Sequence, residues 1–158
     1  MKTTKLYVGF EALSCFCKCD RSTFAYAAED TWGLVKLDPR QRKYEDVLRM
    51  RIADGCVQDL SAHEGCLYLL VSFVYDNWTT VFAFDLKRRH YRQVFNRTFR
   101  IEAEARLYAL AARWAIVKDQ TGLRLLNTTQ FEAALLCKQA GFHVLDPSAQ
   151  SVVAEIDR

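Results

Sequence analysis

The sequence predicts a mainly β fold made of antiparallel meander repeats with at least one C-terminal helix; an α+β fold is the alternative. Short runs of β-branched and aromatic residues have the length of strands, one segment repeats another without gaps, and an Ala/Leu-rich stretch near the end has the marks of a helix. A chain of 158 residues fits a single domain. We expect residues 1–98 to form its β-repeat part and residues 99–158 a mixed α/β part.

The repeat joins two segments that lie 47 residues apart. Residues 34–48, LVKLDPRQRKYEDVL, align with residues 81–95, VFAFDLKRRHYRQVF, at an offset of 85 − 38 = 47. The matched pairs are Asp38 with Asp85, Arg42 with Arg89, Tyr44 with Tyr91 and Val47 with Val94. Extended upstream without a gap, the same register pairs Cys19 with Cys66. A period of this length is typical of β-propeller blades and of paired-helix repeats.

The local pattern favours strands over helices in this repeat. Apolar runs stand on both sides of a short polar link, and the link is opened by Asp38 or Asp85, whose carboxylate can accept backbone N–H bonds in an Asx-type turn. This is the pattern of strand, turn and strand, so we expect propeller-like repeats. Further strands are predicted at residues 6–10, 13–19, 24–28 and 66–74.

The C-terminal third departs from this pattern. Residues 129–141, TQFEAALLCKQAG, predict a helix, because Thr129 and Glu132 form a T-x-x-E capping box and Gly141 follows the last turn. Residues 101–113 are ambiguous between helix and strand.

Two further elements are predicted in the same third. Residues 114–119 and 122–127, on either side of Gly122, predict a hairpin. Residues 142–146 predict a strand, after which Asp146 and Pro147 are suited to begin a last short helix.

The repeated segment resembles a kelch-type blade over residues 19–97. Residues 63–70, HEGCLYLL, are similar to its glycine-led strand, and Asp85 with Tyr91 is similar to its second half. The kelch Gly-Gly doublet is absent, since Leu70 and Val71 stand there. The resemblance implies a protein-interaction platform, such as an adaptor or substrate receptor. At about 47 residues per blade the chain holds a little over three blades, whereas closed propellers have about 4 to 8. A homodimer is one way to complete the architecture.

Charge and hydropathy give expectations about compartment. Net charge is +3, from 22 basic and 19 acidic residues, and does not demand a polyanionic partner. The N-terminal residues lack the apolar core of a signal peptide, and we expect a cytoplasmic or nuclear protein without membrane association. The alternative is the secretory pathway, because all three asparagines, Asn77, Asn96 and Asn127, lie in N-x-T sequons.

The cysteines suggest little chemistry. Cys15, Cys17 and Cys19 alternate along a predicted strand and would share one face, which favours a core-facing strand and makes them weak candidates for metal ligands. A cysteine nucleophile, Cys15, Cys56 or Cys66 with His63 or His143, lacks any surrounding motif. We therefore expect no cofactor and no catalysis.

The leading functional hypothesis is a non-enzymatic module that binds another protein through loops or an exposed sheet edge. Its candidate contact residues, chosen because Trp, Tyr and Arg dominate binding hot spots, are Trp32, Tyr75, Trp78, Arg88, Arg89 and Arg92. The first alternative is a nucleic-acid-binding β protein that uses the basic turn at residues 87–92. The second is a cysteine-nucleophile enzyme.

Overall fold

A computed structural model describes most of the chain as antiparallel strands. The described residues are 3–5, 13–27, 33–38, 40–41, 43–50, 52, 55–73, 77–98, 101, 105–111, 114–119, 122–127, 132–137, 142–144 and 154–156. The first sheet contains β1 (Thr3–Lys5), β2 (Leu13–Cys19), β3 (Ser22–Ala27), β4 (Gly33–Asp38) and β5 (Lys43–Arg49). The second contains β6 (Cys56–His63), β7 (Cys66–Phe73), β8 (Trp78–Asp85) and β9 (His90–Thr98). The third contains β10 (Arg106–Ala111), β11 (Trp114–Asp119), β12 (Gly122–Asn127) and β13 (Glu132–Cys137).

Each of these three sheets is built on a meander of four consecutive strands, which begin at β2, β6 and β10. The spatial orders are β1-β5-β4-β3-β2, β6-β7-β8-β9 and β10-β11-β12-β13, and β14 (Phe142–Val144) pairs separately with β15 (Ala154–Ile156). All pairings are antiparallel, so the predicted antiparallel β architecture is confirmed. The first strands of successive meanders also meet, β2 against β6 and β6 against β10.

The three meanders share the same irregularities. In each one the first strand carries an extra residue in its ladder: Ser14, Gln58 and Leu110. In each one the fourth strand carries another: Val47, Val94 and Leu136. Such β-bulges increase the local twist of a strand pair. The aligned residues Val47 and Val94 therefore occupy the same structural position.

The turns that open with Asp are also equivalent. Asp38 Oδ1 accepts the N–H groups of Arg40 at 3.1 Å and Gln41 at 3.0 Å. Asp85 Oδ1 accepts those of Lys87 at 2.9 Å and Arg88 at 2.8 Å. The predicted Asx-type turns are confirmed.

Two apolar layers hold the sheets together. Between the first and second sheets, Cys15, Phe24 and Leu34 pack with Leu67 and Phe84. Between the second and third sheets, both sheets contribute buried apolar side chains to the second layer. They include Leu70, Val81, Phe95, Leu107, Val117 and Leu126. The strand β7, in the interior of the second sheet, is buried on both faces, which explains why it reads CLYLLVSF with almost no polar alternation.

The upstream register of the sequence repeat is wrong by three residues. Cys19 and Ser22 close the β2–β3 hairpin, whereas His63 and Cys66 close the β6–β7 hairpin. Cys19 therefore corresponds to His63, at an offset of 44, and not to Cys66. The reason is that β7 and β8 are each two residues longer than β3 and β4, while the loop between them is one residue shorter.

The helix predicted at residues 129–141 is wrong where the structure describes it. Glu132–Cys137 forms β13, which pairs with β12 from Asn127↔Glu132 to Leu123↔Cys137. The ladder that completes the third sheet outweighs the local helix preference of Ala and Leu. Residues 106–111 of the ambiguous segment also form a strand, and the hairpin around Gly122 is confirmed.

Some predicted elements fall outside the described residues. These are the strand at residues 6–10 and the last helix from Asp146. The predicted strand at residues 142–146 is found as Phe142–Val144. Among the residues that the structure describes, no helix is long and apolar enough to cross a membrane.

Candidate functional site

A cleft opens where the first strands of the three meanders meet. Its volume is about 470 Å³, within the range of small-ligand and peptide-side-chain sites. Its walls come from β2, from β6 and from the start of β10, and its rim includes the turns after β2 and β6. The aromatic and charged or titratable side chains of the lining are Phe16, Lys18, Asp20, Asp59, His63, Glu64, Arg106 and Tyr108.

Asp59 is the buried charged group of the cleft wall. It follows the extra residue Gln58, and a bulge of this kind re-aims the next side chain. Asp59 Oδ2 accepts the backbone N–H of Leu107 at 2.8 Å, and Oδ1 lies 3.6 Å from Nη1 of Arg106. Burial raises the pKa of the Asp59 carboxyl, and the hydrogen bond from Leu107 opposes that rise. The carboxylate thus links β6 to β10, the edge strand of the third sheet.

The β2 wall follows from strict alternation. Cys15 and Cys19 are buried and Cys17 packs against the same apolar layer, so the core-facing interpretation of the three cysteines is confirmed. Phe16 and Lys18 consequently lie on the opposite face, where Phe16 is 44% exposed and Lys18 is exposed. An aromatic ring and an ammonium group therefore border the cleft side by side.

The thiols near the cleft are kept protonated. Burial, followed by the neighbouring Cys19 and Cys15, raises the pKa of Cys17 to about 12. Burial also raises the pKa of Cys19 and of Cys66. Since the thiolate is the nucleophile, these three residues lack the activation that a cysteine nucleophile needs. Within the described part of the chain, no group of three or more His, Cys, Asp or Glu residues is arranged to hold a metal ion.

The cleft carries both signs of charge beside an aromatic surface. Lys18 and Arg106 supply cations, and the side chain of Arg106 is 64% exposed. Asp20 and Glu64, both exposed, supply anions at the rim, and Glu64 lies 3.7 Å from Nε2 of His63. Such a surface suits a ligand that is itself mixed in charge and partly apolar.

A second surface lies on the outer strand of the second sheet. Arg88, Arg89 and Arg92 are all exposed there, and Tyr91 is 48% exposed. The Tyr91 ring contacts Phe82 edge-on and His90 in a stacked arrangement. Arg89 Nη2 donates to the carbonyl oxygen of Val47 at 2.9 Å, which ties this turn to the first sheet. The three predicted arginine contacts thus share the turn and the start of β9, but not one face, since Arg89 reaches the first sheet.

The predicted aromatic contacts are less well placed. Trp32 and Tyr75 lie outside the described residues. Trp78 is half-buried, and its indole N–H donates to Asn96 Oδ1, which also accepts the hydroxyl of Thr80 at 2.8 Å. The Trp78 donor is therefore engaged within the second sheet.

The three sequons differ in accessibility. Asn77 is exposed in a turn with φ of 50°, whereas Asn127 is buried within β12. The side-chain oxygen of Asn96 is held by Trp78 and Thr80. Asn77 is thus the sequon asparagine that a modifying enzyme can reach in the folded chain.

The sequence indicated part of this site only. The three alternating cysteines of β2 predict a core-facing side of the strand. The residues between them, Phe16 and Lys18, are then predicted on the opposite face, and this part of the cleft could have been found from the sequence. Asp59 and Arg106 stand 47 residues apart on different sheets, and no local pattern marks them as neighbours.

Comparison with known proteins finds structural likeness without sequence relatives. No family model matches the sequence, and no curated protein matches it. A solved structure titled AtxE2 isopeptidase, in its apo form, is similar with a TM-score of 0.49 and 14% sequence identity. The match covers 78% of this chain and 20% of that chain, so the chain spans about a fifth of the length of the solved protein.

This likeness corrects the expectation that the chain is not an enzyme. The solved structure to which the chain is similar is named as an isopeptidase, which is an enzyme. The prediction that this chain has no catalytic activity is therefore withdrawn. At this identity and TM-score the likeness carries no argument for any particular activity of this chain.

Proposed function

We propose that this chain is a propeller-like interaction module whose cleft binds a polypeptide segment of a partner protein. The observation that carries the proposal is Phe16, a large apolar side chain 44% exposed on the wall of a cleft of about 470 Å³. Exposed aromatic residues beside a concavity are typical anchors of protein interfaces.

The repeated architecture supports the propeller-like part of the proposal. Propeller blades are four-stranded antiparallel meanders arranged around a central axis. Here three meanders carry bulges in the same two strands, and their first strands meet. The Asp-opened turns after Asp38 and Asp85 are those on which the kelch resemblance rests. On the same repeated meanders and turns we base the further proposals that the repeat is kelch-like and that the chain acts as an adaptor.

The charges of the cleft support a polypeptide as its ligand. Lys18 and Arg106 can each bind a carboxylate, while Asp20 and Glu64 at the rim can bind an amine or a guanidinium group. The Phe16 and Tyr108 rings offer apolar contact between these charges. A peptide segment carries all three kinds of group within a length that fits the cleft.

Photo-crosslinking tests the proposal directly. With benzoylphenylalanine in place of Phe16, irradiation in a cell extract should attach a specific polypeptide, which mass spectrometry then identifies. Purified partner should bind the native chain and lose affinity by about tenfold in Lys18→Glu, the scale of one lost charge-assisted contact. Lys36→Glu is the matched control, since Lys36 is an exposed lysine on β4 of the same sheet. If the Lys18→Glu variant binds the partner as tightly as the Lys36→Glu control, the cleft is not the binding site.

A further inference from the structure

The outer strands of the first and second sheets are equivalent by sequence and by structure. β5 and β9 each follow an Asp-opened turn, after Asp38 and Asp85. Each then carries its extra residue at the aligned positions Val47 and Val94. The segment 43–45 of β5 therefore corresponds to the segment 90–92 of β9, at the offset of 47.

The edge of β5 is covered by a strand from the same chain. β1 pairs antiparallel with it through Thr3↔Glu45, Thr4↔Tyr44 and Lys5↔Lys43. The residues of β5 next to β1 are half-buried, and Tyr44 packs against the buried Ala25 and Val35 of the same sheet. A three-residue strand thus covers the outer edge at this position of the repeat.

The equivalent edge of β9 has no such cover among the described strands. The second sheet ends at β9, and His90, Tyr91, Arg92 and Gln93 are all exposed where residues 43–46 are half-buried. An edge strand presents N–H and C=O groups outward at every second residue. The backbone at residues 90–92 therefore offers the hydrogen-bonding groups that β1 satisfies in the first sheet.

The side chains around this edge are strongly basic. Lys87, Arg88, Arg89 and Arg92 are all exposed. The one acid in the turn, Asp85, uses Oδ1 to accept the backbone N–H groups of the turn and lies 3.8 Å from Arg88 through Oδ2. The edge consequently keeps an excess of positive charge. Such charge opposes pairing with the same edge of a second copy.

We propose that residues 90–92 of β9 bind an extended acidic segment of a partner protein, which adds to the second sheet as an antiparallel fifth strand. The backbone of β9 supplies the affinity common to strand addition. Tyr91 gives an apolar contact for one side chain of the incoming strand, and Arg88 and Arg92 bind its carboxylates. This site is separate from the cleft, because β6 and β9 are the opposite edges of the second sheet.

A labelled synthetic peptide tests the edge and does not require the natural partner. The probe is a fluorescent seven-residue peptide that alternates Glu with Thr, titrated against the full chain by anisotropy. The Arg88→Glu/Arg92→Glu double variant should weaken binding by about tenfold or more, since it replaces charge-assisted contacts by repulsion. Arg40→Glu is the matched control, because Arg40 corresponds to Lys87 in the turn of the covered sheet, and its binding should match that of the native chain.

Backbone pairing separates strand addition from attraction by charge alone. A peptide N-methylated at alternate residues keeps its charge but loses N–H donors, and should bind about tenfold more weakly. Amide exchange should slow at residues 90–92 on binding of the unmethylated peptide and stay unchanged at residues 43–45. Equal binding of the methylated peptide overturns the proposal, and so does failure of the acidic peptide to bind.

Two other occupants of this edge have distinct signatures. Binding of a single-stranded oligonucleotide that competes with the peptide, with a steep dependence on salt, would assign the edge to nucleic acid instead. Sedimentation of the native chain as a dimer that becomes monomeric in the double arginine variant would assign it to a second copy. Either result replaces the acidic segment as the occupant, and neither bears on binding in the cleft.

Discussion

Asp59 Oδ2 accepts the backbone N–H of Leu107 at 2.8 Å, and this hydrogen bond joins the second sheet to the third. Leu107 lies near the start of β10, at the open edge of the third sheet, so its N–H has no ladder partner on that side among the described strands. Both residues are buried. A carboxylate on the first strand of the second meander therefore accepts the outward N–H of the first strand of the third meander.

Replacement of Asp59 should distinguish loss of the acceptor from loss of the charge. Asp59→Ala leaves the buried N–H of Leu107 without a partner, which costs about 1–3 kcal/mol of unfolding free energy. Asp59→Asn keeps an oxygen acceptor and should lose less. Urea unfolding followed by circular dichroism measures both values. If the Ala variant is as stable as the Asn variant, the hydrogen bond does not stabilise the sheet junction.

The pH dependence of stability should report the Asp59 carboxyl. Its pKa is raised from 3.8 in the folded chain by burial, so the folded state binds more protons than the unfolded state in the interval just above that value. The contribution of the Asp59 carboxyl to the free energy of unfolding therefore decreases as the pH rises through this interval. At higher pH the contribution remains at its lower value. The stability of the native chain relative to Asp59→Asn should decline from about pH 3 to pH 7. A difference that grows with pH would contradict the raised pKa.

Local features of this fold were predictable, whereas contacts between sheets were not. The turns at Asp38 and Asp85 follow from one carboxylate and the backbone N–H groups two and three residues after it, so a short segment contains all the information. The link from Asp59 to Leu107 depends on how two sheets pack. Glu132 shows the same limit in reverse: its capping box is a valid local signal, yet pairing with β12 determines the conformation.

Gly33 should be far less tolerant of substitution than Gly65. A Cβ at Gly33 would overlap the backbone carbonyl oxygen of Leu48 on the paired strand, which cannot move without opening the β4–β5 ladder. A Cβ at Gly65 meets nothing within 4 Å, although its φ of 75° makes the substitution mildly strained. Gly33→Ala should lower the thermal midpoint well beyond Gly65→Ala, whose strain costs about 1–2 kcal/mol. Equal midpoints would contradict the close approach of Leu48.

The cysteines should differ widely in their reaction with iodoacetamide. Cys56 is exposed and should be alkylated faster than the three cysteines of β2. Cys17 is half-buried with a pKa of about 12, and Cys15 and Cys19 are buried. These three should react more slowly than Cys56 by about a hundredfold near neutral pH, because burial limits access of the reagent to their sulfur atoms and the thiolate is the reacting species. Peptide mass spectrometry after timed quenching gives the rates, and the chain unfolded in urea is the control. Comparable rates for Cys17 and Cys56 in the native chain would contradict the packing of β2.

Secretion of the chain from a eukaryotic host should leave a glycan on Asn77 in the folded product and none on Asn127. Asn77 is exposed in its turn, whereas Asn127 is 9% exposed within β12, and a glycan there could not be accommodated in the sheet. Asn77→Gln should therefore remove the shift in mass, while Asn127→Gln should leave it unchanged. The Asn96 side chain accepts bonds from Trp78 and Thr80, so Asn96→Ala should instead lower stability, by about 1–3 kcal/mol for the two donors left without an acceptor. A glycan on Asn127 of a chain with native circular dichroism would show that β12 is not buried as described.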